Sequence, residues 1–112
     1  AKNNPEAVKG FLRATIRGIQ DTINDPEASI DSLMKRNAIA NRDVELQRLK
    51  MALERNFITP DVKENGLGAI DKARMDKAID QIGLTFDYTN KPTTEEVFTA
   101  EYLPPKEERM VK

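Results

Sequence analysis

The chain has 112 residues, the length of one ordinary domain, and 18 lysines and arginines against 19 aspartates and glutamates give it a formal charge of -1. This balance excludes a strongly basic nucleic-acid module. The sequence contains no Cys and no His, which excludes disulfides, thiol nucleophiles, imidazole chemistry and the usual zinc sites. Because hydrophobic residues make up only 38% of the chain, we expect a thin core.

The first predicted element is a long amphipathic helix. Asn4 has a side chain that can cap a helix, Pro5 has the preset φ of a first helical position, and the pattern continues to about Asn24. One stripe of this helix is apolar and consists of Val8, Phe11, Leu12, Ile16, Ile19 and Ile23.

Two further helices follow. Asp25 and Pro26 repeat the same start signal and predict a shorter helix that ends near Asn37. A third helix is predicted from after Asn41 to about Asn56, because no Gly or Pro interrupts its helical spacing. Its two apolar faces suggest cover from both sides; one face holds Leu46, Leu49, Leu53 and Phe57, and the other holds Val44 and Met51.

The second half of the chain is predicted to be more broken. Pro60 ends the helical pattern, a short helical turn can follow, and the glycines of the stretch 65–68 predict a tight chain reversal. Asp71 is the expected cap of a fourth helix, and Gly83 is expected to end it as a left-handed residue. The alternation over 84–88 predicts one short strand or an extended arm.

A short last helix and a tail complete the expected organisation. Thr93 and Glu96 have the spacing of a capping box. We therefore predict a mainly α fold of about four to five helices with at most one short strand. Residues 1–105 form one helical segment, and 106–112 form a charged flexible tail.

Candidate sites are few. The sequence Asn65-Gly66-Leu67-Gly68 resembles a phosphate-binding loop only in its glycines, because it lacks the preceding strand and the Lys-Ser/Thr pair, so a structural turn is the favoured interpretation. Arg13 and Arg17 could grip an anion, although solvated helix charges are commoner. The acidic residues of the first two helices lack calcium-loop spacing and are interpreted as caps and surface charges: Asp21, Asp25, Glu27 and Asp31.

The helix starts and turns form an ordered series of motifs. They are Asn4-Pro5-Glu6-Ala7-Val8, Phe11-Leu12-Arg13-Ala14, Arg17-Gly18, Asp25-Pro26-Glu27, Asn65-Gly66-Leu67-Gly68, Asp71 with Arg74, Val97-Phe98-Thr99 and Tyr102-Leu103-Pro104. Taken in order, this series resembles the C-terminal part of the NMT1/THI5-like solute-binding proteins of ABC importers for nitrate, sulfonates, taurine and thiamine-pyrimidine precursors. The resemblance extends from about Asn3 to Pro105, over the last third of a usual family member.

The resemblance implies a helical fragment of a bilobal α/β fold like that of periplasmic binding proteins, located outside the cytoplasmic membrane although no signal is present in this chain. The parent would capture a small polar or heteroaromatic solute for an ABC permease, without catalysis, cofactor or metal. Asn65, Gly66, Gly68 and Tyr88 are the implied ligand neighbours. The alternative is an independent helical interaction module. We expect no nucleic-acid partner, and we expect the fragment to bury its apolar faces in a homodimer.

Overall fold

A computed structural model describes residues 1–111, and in this part of the chain the only regular structure is helical. The six α-helices are α1 (Pro5–Asn24), α2 (Pro26–Arg36), α3 (Arg42–Ala52), α4 (Pro60–Asn65), α5 (Lys72–Gly83) and α6 (Thr94–Val97). A π-helical turn (Leu53–Phe57) follows α3, and a 3-10 turn (Lys106–Arg109) lies near the C-terminus. The prediction of a mainly α fold is confirmed.

The helices begin where side chains can bind the free N–H groups of the first turn. The Asn4 side chain accepts from the Ala7 amide at 3.4 Å, and the Asp71 side chain accepts from the Arg74 amide at 3.0 Å. Thr93 and Glu96 form both halves of the capping box. These local hydrogen bonds satisfy donors that the helix itself leaves free, so they fix the starts of α1, α5 and α6.

The α-helical part of α3 ends earlier than predicted, because its last turn widens. The Ile58 amide donates to the Leu53 carbonyl at 2.7 Å, which is the i to i−5 pattern of a π-helix. Leu53 is buried at the start of this turn. Thr59 then adopts the extended backbone that a residue before Pro60 prefers, and α4 begins.

Gly83 was expected to end α5 in a left-handed conformation, and this prediction is wrong. Gly83 is helical, and its role is to leave space for the ring of Tyr88. A Cβ atom at this position would lie 2.8 Å from Cε2 of that ring. The Tyr88 hydroxyl donates to the Ile79 carbonyl at 2.7 Å, which holds the chain after α5 against the helix.

The predicted strand or arm over 84–88 is instead a turn that continues the end of α5. The amides of Thr85 and Phe86 donate to the Ile82 carbonyl at 3.0 and 2.9 Å. The alternation of the sequence therefore reflects side chains around a turn and not the two faces of a strand.

The core is small and the molecule is open. The buried apolar side chains belong to Ile16, Ile30, Leu53, Leu67 and Ile79. The surface of 8578 Å² compares with about 6,200 Å² for a compact monomer of this mass. The radius of gyration is 17.3 Å, against about 13 Å for a compact domain of this length. The chain therefore covers much less of itself than an independent domain of its size does.

Large apolar side chains remain in solvent on the outer face of α3 and at the end of α5. The outer face of α3 carries Val44 and Met51, which are 47% and 52% exposed. At the end of α5, the exposed apolar side chains are those of Ile82, Leu84 and Phe86. Among residues 1–111, no helix combines the length and apolar character that crossing a bilayer requires.

Candidate functional site

The glycine loop, residues 65–68, contains two glycines with positive φ. Gly66 has φ 83° and ψ 166°, a region that is open almost only to glycine, and its amide donates to the Val62 carbonyl at 2.8 Å to close α4. Gly68 has φ 84°, and a Cβ atom there would lie 3.0 Å from Cδ2 of Leu103. Both glycines are needed for the backbone conformation of the loop. They also let Arg109 and Leu103 approach the loop closely.

Arg109 fastens this loop to the C-terminal segment, residues 105–111. Its Nε donates to the Pro104 carbonyl at 2.9 Å, and its Nη1 donates to the Leu67 carbonyl at 2.6 Å. In return, the Leu67 amide donates to the Arg109 carbonyl at 2.8 Å. The guanidinium group is therefore used to bind main-chain oxygens of the protein itself.

The segment after Pro105, for which the sequence predicts a charged flexible tail, contacts α1 through Glu108 and Met110. The side-chain amide of Gln20 on α1 donates to the carbonyls of Glu108 and Met110 at 2.8 and 2.9 Å. Arg13 forms an ion pair with Glu108 at 3.0 Å. These partners lie far away in the sequence, so composition alone gives no signal for them; the final position, 112, is outside the described residues.

The predicted ligand neighbours all make internal contacts. The side-chain amide of Asn65 donates to Asp61 Oδ1 at 2.9 Å, while Gly66 and Gly68 face Arg109 and Leu103. Tyr88 lies against the end of α5, and within residues 1–111 no hydrogen bond joins it to the glycine loop. The loop and the tyrosine are thus held separately, each by contacts that stabilise its own part of the fold.

A shallow groove runs along α1 beside the C-terminal segment. It consists of hollows of about 290 and 410 Å³, and Arg17 and Gln20 line both of them. Acidic side chains of Asp21, Glu107 and Glu108 also line the groove. Arg13 and Arg17, the arginine pair that the sequence offered for an anion, both line the larger hollow, where the ion pair between Arg13 and Glu108 offsets one of their two charges. Sequence patterns contained no signal for Gln20, whose partners come from the other end of the chain.

The carboxylates of α1 and α2 have structural partners. Asp25 caps α2 by accepting from the Ala28 amide at 3.1 Å, and Arg42 binds Asp31 at 2.9 Å and Glu27 at 3.7 Å. The pairing with Asp31 is the main reason that the pKa of Arg42 is raised. Within residues 1–111, no group of three or more His, Cys, Asp or Glu side chains is arranged to hold a metal ion.

A polar network joins α5 to α6. The buried Thr94 hydroxyl donates to Asp76, and the Lys72 ammonium lies 2.9 Å from Asp76 and 3.5 Å from Glu95. The hydrogen bond from Thr94, and then that from Lys72, lowers the pKa of Asp76. A backbone hydrogen bond, followed by the charge of Lys72, lowers the pKa of Glu95. Both shifts move these carboxyl groups away from the neutral range in which a general base works.

This network makes the stability of the chain depend on pH. A carboxyl group with a lowered pKa contributes stability above its ordinary value, here 3.8, and loses it as pH falls through the folded value. The pKa of Lys72 is raised, chiefly by its bond to Asp76, so its contribution is present below 10.5 and is lost as pH rises above it. We expect Asp76→Asn to weaken the fall in the free energy of unfolding that wild type shows as pH drops below about 3.8. Urea unfolding measured across this pH series tests it.

The control for this series is Asp87→Asn, because Asp87 is exposed and makes no ion pair in the described part of the chain. It should leave the acid dependence unchanged. Equal slopes for wild type and Asp76→Asn would show that the network does not stabilise the fold.

Arg109→Lys tests the fastening of the C-terminal segment. A lysine keeps the charge but cannot bind the Pro104 and Leu67 carbonyls with one planar group, so we expect a loss of about 1–2 kcal/mol in the free energy of unfolding. Hydrogen exchange at the Leu67 amide should become faster. Arg48→Lys is the matched control, because Arg48 is 72% exposed and should change stability by less than about 0.5 kcal/mol. Unaltered exchange at Leu67 in Arg109→Lys would contradict the role given to this side chain.

Comparison of the chain with protein-family models, with curated proteins and with solved structures finds no match.

Proposed function

We propose that this chain is the helical C-terminal part of a solute-binding protein that serves an ABC importer and captures a small polar or heteroaromatic solute outside the cytoplasmic membrane. The observation that carries the proposal is the incomplete cover of the helices. A surface of 8578 Å², with only five buried apolar side chains among residues 1–111, is what a layer of helices leaves when the layer beneath it is missing.

The arrangement of α3 supports the same conclusion. Leu49 on its inner face is partly covered, whereas Val44 and Met51 on its outer face leave about half of their surface in solvent. A helix with two apolar faces needs a neighbour on each side, and α2 supplies one of them. In the proposed parent protein, the second neighbour belongs to the lobe on which these helices pack.

The ordered motifs from Asn3 to Pro105 support the proposed identity of that parent, since they resemble the series of the solute-binding family. The glycine loop and Tyr88 are assigned a supporting role, because their polar groups already bind the protein itself. The solute would bind between this part and the strands and loops of the remaining polypeptide.

A thermal-shift titration of the polypeptide encoded by the complete reading frame tests the proposal. The probes are a thiamine-pyrimidine precursor, taurine, an alkanesulfonate and nitrate. A true ligand at a hundred times its Kd should stabilise the folded state by about 2.7 kcal/mol and raise Tm accordingly. The 112-residue chain alone is the control and should show no shift, because most of the cleft lies outside it.

The absence of a shift with all four probes would contradict the solute-binding proposal. If the reading frame encodes only these residues, the alternative of a helical interaction module is favoured. In that case the outer face of α3 is the surface that would dock a partner helix.

A further inference from the structure

The C-terminal segment is bound on two sides. On one side, the side-chain amide of Gln20 on α1 donates to the carbonyls of Glu108 and Met110 at 2.8 and 2.9 Å. On the other side, the carbonyl of Arg109 accepts from the Leu67 amide of the glycine loop at 2.8 Å. Three consecutive carbonyls therefore bind first to α1, then to the glycine loop and then to α1 again.

This alternation connects two groups of helices that pack separately. In the first group α1 packs on α2 and α2 packs on α3, whereas in the second group α5 packs on α6. Among residues 1–111, every hydrogen bond and ion pair that joins the first group to the chain after α4 ends on the C-terminal segment. The segment is thus the polar connection between the two groups.

The hold of the segment on α1 rests on few bonds, and these lie near water. Arg13 and Glu108 are 50% and 49% exposed, so their ion pair contributes little and weakens with salt. Most of the hold therefore comes from the one side-chain amide of Gln20, which is itself only partly covered. Segments held in this way open at a lower free energy than packed helices do. We expect the segment to open before α1 or α5 unfolds.

The two sides of the segment depend on each other through its backbone. The three bound carbonyls belong to consecutive planar peptide units, so a rotation that frees one of them displaces the next. The Nε of Arg109 also binds the Pro104 carbonyl at 2.9 Å, which joins the two ends of the segment. The segment is therefore built to move as one unit.

We infer that the C-terminal segment is a two-sided clasp, whose contacts with α1 and with the glycine loop form and break together. Loss of the contact with α1 then frees the Leu67 amide, although Gln20 and Leu67 form no hydrogen bond with each other. This inference concerns the chain by itself and does not depend on the solute-binding proposal.

Hydrogen exchange at the Leu67 amide tests the clasp. Gln20→Ala removes both bonds from α1 to the segment and places a strong helix former in α1. We expect exchange at Leu67 to become about tenfold faster, the effect of losing two hydrogen bonds that keep the clasp closed. The Ile79 amide within α5 should keep its exchange rate, and circular dichroism should show an unchanged helix content.

The matched control is Gln47→Ala, the same chemical change at an exposed position of α3. It should leave exchange at Leu67 within about twofold of wild type. Equal exchange at Leu67 in the two variants would overturn the inference. Equal acceleration at Leu67 and Ile79 in Gln20→Ala would also overturn it, because the whole fold and not the clasp would then be opening.

A double-mutant cycle gives a second measurement. Gln20→Ala and Arg109→Lys weaken opposite sides of the segment. If both sides open together, the double variant should lose clearly less free energy of unfolding than the two single losses added together, since the first change already opens the clasp. Losses that add fully would show independent anchors and would overturn the inference. Neither measurement involves a ligand, so this inference and the solute-binding proposal fail separately.

Discussion

Replacing Ile16 by alanine is expected to lower the free energy of unfolding by about 3 kcal/mol, because it removes a buried side chain and leaves a cavity. Ile16 is only 5% exposed and is the buried residue of α1. With so few buried apolar side chains in the described residues, this loss is a large part of the total stability. Urea unfolding followed by circular dichroism at the helical band measures it.

The control for this change is Ile39→Ala, which deletes the same atoms from a side chain that is 97% exposed. Its effect should stay within about 0.5 kcal/mol. A similar loss for the two variants would show that Ile16 is not in a core. The contrast between them measures how much of the stability comes from burial within the chain itself.

The second large effect is expected at Gly66. Gly66→Ala places a Cβ atom on a backbone with φ 83° and ψ 166°, at 3.2 Å from Cβ of Arg109 and 3.3 Å from its carbonyl oxygen. Backbone strain of this kind costs about 1–3 kcal/mol, so we expect a loss of about 2 kcal/mol. The same urea experiment checks it.

The matched control is Gly18→Ala within α1, where nothing lies within 4 Å of the added Cβ atom. There the substitution should stabilise the chain by about 0.5–1 kcal/mol, because alanine loses less backbone entropy in a helix. The same chemical change is thus expected to have opposite signs at two glycines. A neutral or stabilising Gly66→Ala would contradict the account of the glycine loop.

Local signals in the sequence were sufficient to predict the starts of the helices. A cap at Asn4, Asp25 or Asp71 acts on amides three residues away, and Pro at the first helical position acts through its own ring. α1 accordingly has the bounds that were predicted for it, Pro5–Asn24. The mainly α class follows from these same local preferences.

Contacts between distant residues were not predictable in this way. Gln20 binds carbonyls that lie 88 and 90 positions further along the chain, and Arg109 binds a carbonyl 42 positions before it. The composition of residues 106–112 therefore suggested a free tail, because charge alone does not reveal these partners. Gly83 was misassigned for a related reason, since its role depends on a tyrosine ring that folds back over it.

The resemblance to solute-binding proteins rests on the order of the motifs, and the structure adds the openness of the helices. The resemblance and the openness have one explanation if the rest of the polypeptide covers the outer face of α3. Met51 is a natural reporter of this cover, because its thioether is readily oxidised when water reaches it.

The most direct test is therefore the rate of Met51 oxidation by dilute peroxide, measured by mass spectrometry in the 112-residue chain and in the polypeptide of the complete reading frame. Met34, Met75 and Met110, which are partly covered, serve as internal references. We expect rapid oxidation of Met51 in the short chain and strong protection in the long one. Equal rates in both, relative to those references, would contradict the proposed cover of α3.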